Sequence, residues 1–377
     1  KKKMINEIEI KNFRAFEHTR IKGFGAVNLI GGENSVGKTA LLEALLLATT
    51  PSISTINDIR HFRNENDDAI EKANEYVWNY WFYKQNIQSP IQINILLKDK
   101  DNDIAIQKHL TLNCVKNSDV LINNLEEGKN TAEVSKMIFA NIADAVLHII
   151  QKNEQKEFYN FFVIPDKTDK HLGSIGKNSP KNIIFTPFLH TRFRESYEGL
   201  AKLRSYLNKN KKLTQWHDLL FKIDNSIVGS EIDALMGTAL HLIRKDGESL
   251  PLGMFGDAVR TVTEIILKLL SMEEKVFFID EIENGLHYTK QDDVWAALFT
   301  IAKERGIQIF ATTHSKEMIE SFARVGGLAE NEGQGVYFNM YRSPRSGQIV
   351  AAPTTVDMIE YKLERGSSLR GEVAVLK

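Results

Sequence analysis

Cysteine is almost absent from this sequence of 377 residues, which contains only Cys114. A single thiol can form neither a disulfide framework within the chain nor a CxxC zinc site. The longest apolar stretch of helical character, around 137–150, is interrupted by polar residues and is too short to span a bilayer. Met4 follows three lysines and precedes no apolar signal-peptide core. We therefore expect a reduced, cytoplasmic location and a native initiator slightly upstream of Lys1.

An excess of either charge is also lacking. The chain carries 48 Lys and Arg residues against 49 Asp and Glu residues, for a formal net charge of -1. This balance excludes a polybasic coat for nucleic acid, although it is compatible with a local basic stripe. The length predicts about two domains, or one large domain that carries an insertion.

What the sequence does contain is a complete P-loop of the form G-x-x-x-x-G-K-T. It lies between an apolar run that ends at Ile30 and a helix-forming run from Ala40 to Leu47. In such a loop the backbone N–H groups point at phosphate oxygens, the lysine reaches the β- and γ-phosphates, and the threonine hydroxyl binds Mg²⁺. A chance glycine turn is the alternative. The predicted nucleotide contacts are Gly32, Glu33, Asn34, Ser35, Val36, Gly37, Lys38, Thr39 and Ala40, with Lys38 also catalytic and Thr39 also a metal ligand.

Two further apolar segments predict buried strands that end in polar residues. The segment Lys275 to Glu281 reads as a central strand followed by two adjacent carboxylates, and ligands bind at this end of parallel sheets. Asp280 is suited to hold Mg²⁺ through water, and Glu281 to act as the general base for the water that attacks the γ-phosphate. The strand that begins at Ile307 leads to His314, which can contact the γ-phosphate. A solvated strand end and a core histidine are the alternative interpretations.

A loop with two glycines precedes the acidic strand. The segment Pro251 to Arg260 contains Gly253 and Gly256, and an apolar helix from Thr261 to Leu270 follows it. Glycines ahead of a helix expose N–H groups and direct the helix dipole toward an anion. An ordinary glycine loop that caps a helix is the alternative. The position of the loop directly before the acidic strand favours anion binding.

Together these motifs resemble the ABC-type ATPase head, and within that class the OLD-like (overcoming lysogenisation defect) ATPases that are related to the SMC and RecF proteins. The resemblance begins with Ile-Lys-Asn-Phe-Arg-Ala-Phe, which ends at Phe16, and continues with the P-loop. Pro251 to Arg260 resembles a divergent signature motif, Phe278 to His287 resembles Walker B with the D-loop, and Thr312-Thr-His-Ser resembles the H-switch.

The resemblance implies an α/β fold with a mostly parallel sheet, an antiparallel β layer and a helical insertion. ATP and Mg²⁺ are the implied cofactors. ATP would be sandwiched between the P-loop of one copy and Gly253 and Gly256 of another, so hydrolysis would require a homodimer or a higher oligomer. The Ser-Gly-Gly-Gln core of transporter signatures is missing, which leaves its phosphate contact open. Gln85, Gln88 and Gln92 remain alternatives for the Q-loop glutamine.

Three segments are predicted along the chain. Residues 1–130 would form the N-terminal half of the head, with the P-loop and the β layer, because apolar residues alternate near 91–95 and 110–114. Residues 131–245 would form a mainly helical insertion, because helical periodicity spans 132–161 and residues 197–240 also read as helices. Residues 246–377 would form the C-terminal half of the head, with the signature, Walker B, D-loop and H-switch motifs.

The composition of the segment after His314 leads us to expect a separate partner protein. OLD nucleases carry a C-terminal TOPRIM domain with clustered carboxylates, whereas Asp357 is the only aspartate that follows His314 here. A two-metal nuclease site cannot be assembled from that segment. We therefore expect a separate nuclease effector, with this chain as the ATPase sensor or scaffold subunit of a multi-component bacterial anti-phage system. The alternatives are a RecF-like DNA-repair ATPase and a structural scaffold that ATP locks and that turns over incidentally.

One basic stretch offers a surface for DNA. Residues 190–212 are rich in Lys and Arg and contain only Glu195 and Glu198 as acidic residues. A solvated helix face explains this composition equally well. The basic residues are Arg192, Arg194, Lys202, Arg204, Lys209, Lys211 and Lys212.

Overall fold

The computed structural model describes residues 3–65, 76–99, 105–116, 145–154, 156–165, 172–177, 187–190, 194–233 and 239–364. In chain order the strands are β1 (Lys3–Phe13), β2 (Phe16–Lys22), β3 (Val27–Gly32), β4 (Ile91–Asp99), β5 (Ala105–Lys116), β6 (Ala145–Lys152), β7 (Glu157–Pro165), β8 (Leu172–Lys177), β9 (Phe188–His190), β10 (Ile227–Asp233), β11 (Ala239–Arg244), β12 (Ser249–Pro251), β13 (Val276–Asp280), β14 (Gln308–Thr312), β15 (Gly335–Arg342) and β16 (Ile349–Thr355). The α-helices are α1 (Lys38–Thr49), α2 (Ile53–Phe62), α3 (Tyr197–Lys209), α4 (Leu213–Ile223), α5 (Asp257–Ser271), α6 (Gln291–Arg305), α7 (Lys316–Gly326) and α8 (Val356–Glu364). Across these residues, no helix has the length and apolar character that crossing a membrane requires.

The chain divides into two compact units, and each unit combines segments from different parts of the sequence. The first unit is formed by Lys1–Gly23, Ser35–Ile183 and Tyr341–Ala351. The second unit is formed by Phe24–Asn34, Ile184–Met340 and Ala352–Lys377. The three consecutive segments expected from the sequence, with boundaries after residues 130 and 245, stay a prediction.

The first unit is built on a seven-stranded antiparallel sheet with the strand order β2-β1-β4-β5-β6-β7-β8. Ile91, Ile93 and Ile95 of β4 are buried, while the residues between them are partly exposed. This alternation gives one apolar face, against which helix α1 packs across β1, β4 and β5. The strands predicted near 91–95 and 110–114 are therefore confirmed.

The helix predicted over residues 132–161 is wrong wherever the structure describes it. Residues 145–152 form β6 and residues 157–161 belong to β7, while residues 132–144 lie outside the described part of the chain. Both faces of β6 are buried, because Leu147 packs on one side and Val146 packs on the other with Phe162. A strand is normally identified by alternating apolar and polar residues. Because both faces of β6 are buried, this alternation is missing, and the spacing of the apolar residues resembles that of a helix.

The second unit is built on a six-stranded sheet with the order β16-β15-β3-β14-β13-β9. Strands β15, β3, β14, β13 and β9 run parallel to one another. Every residue of β3 and β14 is buried, as is typical of central strands that helices cover on both faces. The strands predicted before the P-loop, before Asp280 and before His314 are confirmed.

A second, smaller sheet lies within the second unit. Strands β10, β11 and β12 form it in that order, and helix α3 packs against β11 while α4 packs against β10. The helices predicted over 197–240 are therefore right for α3 and α4 and wrong for residues 227–233 and 239–240, which belong to β10 and β11. The β-branched pair Ile227 and Val228 favours that strand locally.

Candidate active site

The P-loop begins where β3 ends, in the second unit. Gly32 has a φ of 134°, and a Cβ at this position would lie 2.1 Å from the carbonyl oxygen of Met340 on β15. A side chain is therefore excluded twice, by the backbone conformation and by the neighbouring strand. Glu33 and Asn34, which follow, are exposed. This close approach keeps the loop entrance in one fixed position on the sheet.

The rest of the P-loop leads into helix α1, in the first unit. Gly37 has a φ of 99° and occupies the N-cap position, and no side chain caps the helix there. Lys38 and Thr39 are the first two residues of α1, whose first turn contains no acidic residue. The N-terminus of α1 therefore offers backbone N–H groups and the positive end of the helix dipole to an anion. Of the other predicted contacts, Ser35 is exposed, while Val36 and Ala40 are buried.

Asp280 ends β13 in the second unit, with only 2% of the residue exposed. The hydroxyl group of Thr312, at the end of β14, donates a hydrogen bond of 2.6 Å to Asp280 Oδ1. His190, which pairs with Asp280 across the adjacent strands β9 and β13, places its Nε2 atom 3.4 Å from Asp280 Oδ2. Both oxygens of this buried carboxylate are therefore held by residues at the carboxyl ends of neighbouring parallel strands.

Glu281 leaves the strand in a left-handed conformation, with a φ of 52°. Its backbone N–H group donates to Thr312 Oγ1 at 2.8 Å, and its carboxylate accepts a bond of 2.7 Å from Asn284 Nδ2. A non-glycine residue in this region of φ costs free energy that surrounding contacts must offset. The two hydrogen bonds supply those contacts and fix the direction of the Glu281 side chain.

His314 lies just beyond β14, as its predicted role requires. Its backbone N–H group donates to Glu283 Oε1 at 2.6 Å, while the N–H group of Thr313 donates to the carbonyl oxygen of Ile30 on β3 at 3.0 Å. The segment that carries His314 is therefore bonded to the strand before the P-loop and to the loop after Glu281. Asp280, Glu281 and His314 are brought together at one edge of the parallel sheet.

The predicted signature loop is also in the second unit, at the start of helix α5. Gly256 is the N-cap residue of α5, and a Cβ added there would meet no atom within 4 Å. A Cβ on Gly253 would lie 3.1 Å from the Tyr197 hydroxyl group, and the Tyr197 ring lies 4.5 Å from the guanidinium carbon of Arg260. Tyr197 therefore contacts both Gly253 and Arg260 of the loop, while Met254 of the same loop is 72% exposed.

The basic stretch is less available to DNA than its composition suggests. Arg204 donates to the Ser230 carbonyl oxygen, and Lys212 donates to the Leu270 carbonyl oxygen. Lys202 forms an ion pair with Glu198, and Arg192 lies outside the described residues. Two of the cations thus fasten α3 and its following loop to the rest of the second unit. The exposed remainder is Lys202, Lys209 and Lys211.

The donor atoms fit Mg²⁺ held with a nucleotide. Mg²⁺ takes oxygen ligands, keeps several waters and is usually bound by one or two protein side chains together with phosphate oxygens. The Asp280 carboxylate, at the end of β13, is a donor of this kind. No cluster of three or more His, Cys, Asp or Glu side chains suited to a metal occurs in the described parts of the chain.

Sequence reasoning assigned no role to Thr312, Asn284 or Tyr197. Thr312 belongs to the quoted Thr-Thr-His-Ser segment, so its proximity to the site was implied, but its two hydrogen bonds depend on the register of β13 against β14. The signal for Asn284 was its position shortly after Glu281. Tyr197 had no signal, because it lies far from the signature loop in sequence.

The P-loop follows the buried parallel strand β3, and a pair of carboxylates lies at the end of the buried parallel strand β13. Together these two features define an ATPase head of the ABC type. The chain belongs to the AAA domain family. The model of this family matches residues 7–234, which are more than half of the sequence. A second match, to the AAA ATPase domain, covers residues 166–319. The chain is accordingly an ATP hydrolase, as predicted.

Three relatives illustrate the similarity in sequence. An ATP/GTP phosphatase from Helicobacter pylori is 25% identical over 348 residues, which span 85% of this chain and 88% of that protein. The DNA replication and repair protein RecF of Bacillus mycoides is 28% identical over 152 residues, or 40% of this chain and 34% of RecF. RecF of Bacillus cytotoxicus is 34% identical over 108 residues, or 28% of this chain and 27% of RecF. The similarity to RecF therefore covers about a third of that protein or less.

Two solved structures share the fold. The SMC head bound to the C-terminal winged-helix domain of ScpA matches with a TM-score of 0.50 and 11% identity, over 95% of this chain and 99% of that one. An SMC head with an extended coiled coil, bound to the C-terminal domain of ScpA from Pyrococcus furiosus, matches with a TM-score of 0.52 and 10% identity, over 96% and 99%. This likeness concerns the fold alone and confirms the α/β ABC-type head.

Proposed function

We propose that the chain hydrolyses Mg·ATP with five side chains in distinct roles. Lys38 contacts the β- and γ-phosphates, Thr39 and Asp280 hold Mg²⁺, Glu281 is the general base and His314 contacts the γ-phosphate. One observation carries this proposal: Asp280 and Glu281 lie at the carboxyl end of β13. In the sheet, only β14 separates β13 from β3, the strand that leads into the P-loop. Ligands of open α/β sheets bind at this end of the strands.

The geometry around Glu281 suits proton transfer from water. Asn284 is a neutral donor, so its bond to Glu281 orients the carboxylate without supplying a proton. His314 and the N–H groups of the P-loop hold the γ-phosphate so that the attacking water is in line with the bond that breaks. Mg²⁺, when bound, would neutralise charge that develops on the phosphate oxygens.

Replacement of Lys38 tests nucleotide binding directly. Lys38→Ala removes the cation that reaches the phosphates, so titration with a fluorescent ATP analogue should show a large loss of affinity. Lys316→Ala, which removes an exposed lysine that pairs with Glu320, is the matched control and should bind as the wild type does. Equal affinity in both variants would contradict the role of Lys38.

We propose further that two copies of the chain form the active assembly, with Gly253 and Gly256 of one copy facing the ATP of the other. The open space at Gly256 and the exposed side chain of Met254 support this proposal. Lys38→Ala and Gly256→Glu should each be inactive alone, and a mixture should regain activity because a mixed dimer contains one intact pair of motifs. Mixed dimers that form without regaining activity would refute the arrangement.

The proposed cellular role is that of an OLD-like sensor or scaffold subunit, in the cytoplasm, with a separate nuclease effector in an anti-phage system. The OLD-like motif set supports it. Tagged Glu281→Gln protein should be purified from its native cell before and after phage infection, and co-purifying proteins identified by mass spectrometry. A stoichiometric nuclease that is lost on infection is expected; recovery of recombination proteins alone would contradict this role.

A RecF-like repair role is the second candidate, because this chain is 34% identical to RecF of Bacillus cytotoxicus over 108 residues. It requires DNA contact, for which Lys202, Lys209 and Lys211 are the exposed cations in the described part of the basic stretch. Reversing these three charges should then weaken DNA binding and reduce its dependence on salt. ATP turnover that gapped DNA does not stimulate, together with unchanged DNA binding in the triple variant, would reject this candidate.

A further inference from the structure

Thr312 joins the two carboxylate-bearing residues of the site through one hydroxyl group. The side chain is completely buried at the end of β14. Its Oγ1 atom donates to Asp280 Oδ1 at 2.6 Å and accepts from the Glu281 N–H group at 2.8 Å. A threonine hydroxyl has one hydrogen to donate and lone pairs with which to accept, so both bonds form at once.

Two other hydrogen bonds also hold the surrounding chain. The N–H group of Ile282 donates to the Thr312 carbonyl oxygen at 3.0 Å, and the N–H group of His314 donates to Glu283 Oε1 at 2.6 Å. These bonds do not involve the Thr312 hydroxyl, so they would persist if that group were removed. The hydroxyl orients one oxygen of the Asp280 carboxylate, whose other oxygen lies 3.4 Å from His190 Nε2, and it holds the left-handed peptide at Glu281.

We propose that Thr312 is a positioning residue for ATP hydrolysis. Its hydroxyl sets the metal-binding carboxylate of Asp280 and the base Glu281 at a fixed distance and angle from each other. The inference rests on the roles proposed above for these two residues. Residues that orient ligands in this way typically change metal affinity or activity by about 10- to 100-fold when they are replaced.

Thr312→Val tests the inference because valine has nearly the same shape and cannot hydrogen bond. We expect kcat to fall by about 10²-fold, since a small misplacement of reacting groups has effects of this size. The KM for ATP should change far less, because Lys38 and the P-loop backbone are untouched. Thr312→Ser keeps the hydroxyl and should retain most of kcat.

Thr263→Val is the matched control. Thr263 is also completely buried, and its hydroxyl has no hydrogen-bond partner among the described residues. The same change of side chain there should leave kcat, KM and the melting temperature close to their wild-type values. If Thr312→Val does not fold, a comparison of Thr312→Ser with Thr312→Ala isolates the hydroxyl, and the serine variant should be the faster of the two.

A binding measurement separates positioning from a general structural effect. The Mg²⁺ concentration that half-saturates the Mg²⁺-dependent part of fluorescent ATP binding should rise in Thr312→Val by about 10-fold or more. Binding of the same analogue without Mg²⁺ should be unchanged. A Thr312→Val protein with wild-type kcat and wild-type Mg²⁺ dependence would overturn the inference, as would a serine variant no better than alanine.

Glu281→Gln, measured alongside, separates the two levels of the proposal. If Glu281→Gln stalls hydrolysis while Thr312→Val turns over normally, only the role of Thr312 is refuted. If Glu281→Gln itself turns over at the wild-type rate, the roles proposed for the site fail, and the inference about Thr312 fails with them.

Discussion

Arg14 Nε lies 3.4 Å from Glu43 Oε2, and the Glu43 side chain is completely buried within helix α1. Arg63 contacts the other carboxylate oxygen, with Nε 2.6 Å from Oε1. Arg14 belongs to the turn between β1 and β2, where it has a φ of 50° and stacks on the ring of Trp81 at 5.1 Å. The helix that begins with Lys38 and Thr39 is therefore fastened to the N-terminal hairpin by a buried ionic contact.

Loss of the Glu43 charge should destabilise the protein strongly. Glu43→Gln leaves Arg14, which is only 10% exposed, without one of its carboxylate partners. Removing one member of a buried ion pair typically costs about 3 to 5 kcal/mol. We expect a loss near the lower value, because Glu65 remains 3.1 Å from Arg14 Nη1. Urea denaturation of the purified protein measures it.

An exposed ion pair provides the control for that experiment. Lys316 and Glu320 pair at 3.2 Å on the surface of α7. Glu320→Gln should change the free energy of unfolding by less than about 1 kcal/mol, because solvent screens such pairs. Equal losses in the two variants would show that the buried contact adds no more to stability than an exposed pair does.

Gly32→Ala should impair both folding stability and ATP binding. The new Cβ would lie 2.1 Å from the Met340 carbonyl oxygen, so β3 or β15 must shift. The unfavourable φ alone costs about 1 to 3 kcal/mol. Gly247→Ala separates the cost of the backbone conformation from the cost of the steric clash. Gly247 has a φ of 89°, but nothing lies within 4 Å of its Cβ position. Thermal unfolding should show the larger loss for Gly32→Ala, and similar losses would disprove the steric contribution.

The single thiol should react slowly at neutral pH. Burial raises the pKa of Cys114 from the ordinary value of 9.0 to about 11. Only the thiolate is nucleophilic, so at pH 8 its fraction is lower by about 10²-fold, and the reaction rate should keep rising with pH until about 11. Iodoacetamide labelling of native and urea-unfolded protein measures both rates. A native profile that levels off near pH 9 would contradict the raised pKa.

The sequence was most informative where a motif ends a buried strand. Asp280 and His314 could be placed at the sheet edge because each follows a continuous apolar run, and such runs are typical of central parallel strands. The same logic failed for β6, because burial of Val146 and Leu147 on opposite faces removes the alternation of an antiparallel strand. The apolar pattern therefore identifies a strand when it matches the usual burial of its class: a continuous run for a central parallel strand, or alternation for an antiparallel strand with one buried face.

The interactions that orient the site could not be predicted from the sequence. The bonds of Thr312 depend on the pairing of β13 with β14, and the contact of His190 with Asp280 depends on the pairing of β9 with β13. These pairings join residues that are distant in the chain. The motifs therefore identified the groups that would do the chemistry, while the sheet topology determines which residues hold them in place.

The most direct test of the proposed hydrolysis site is the ATP turnover of Glu281→Gln, measured together with its ATP binding. Glu273→Gln is the control, because Glu273 is an exposed carboxylate shortly before β13. Loss of a general base typically lowers the rate by about 10² to 10⁴-fold. We predict a loss of this size in Glu281→Gln, with ATP binding retained and with normal turnover in Glu273→Gln. Wild-type turnover in Glu281→Gln would contradict the assignment of Glu281 as the general base.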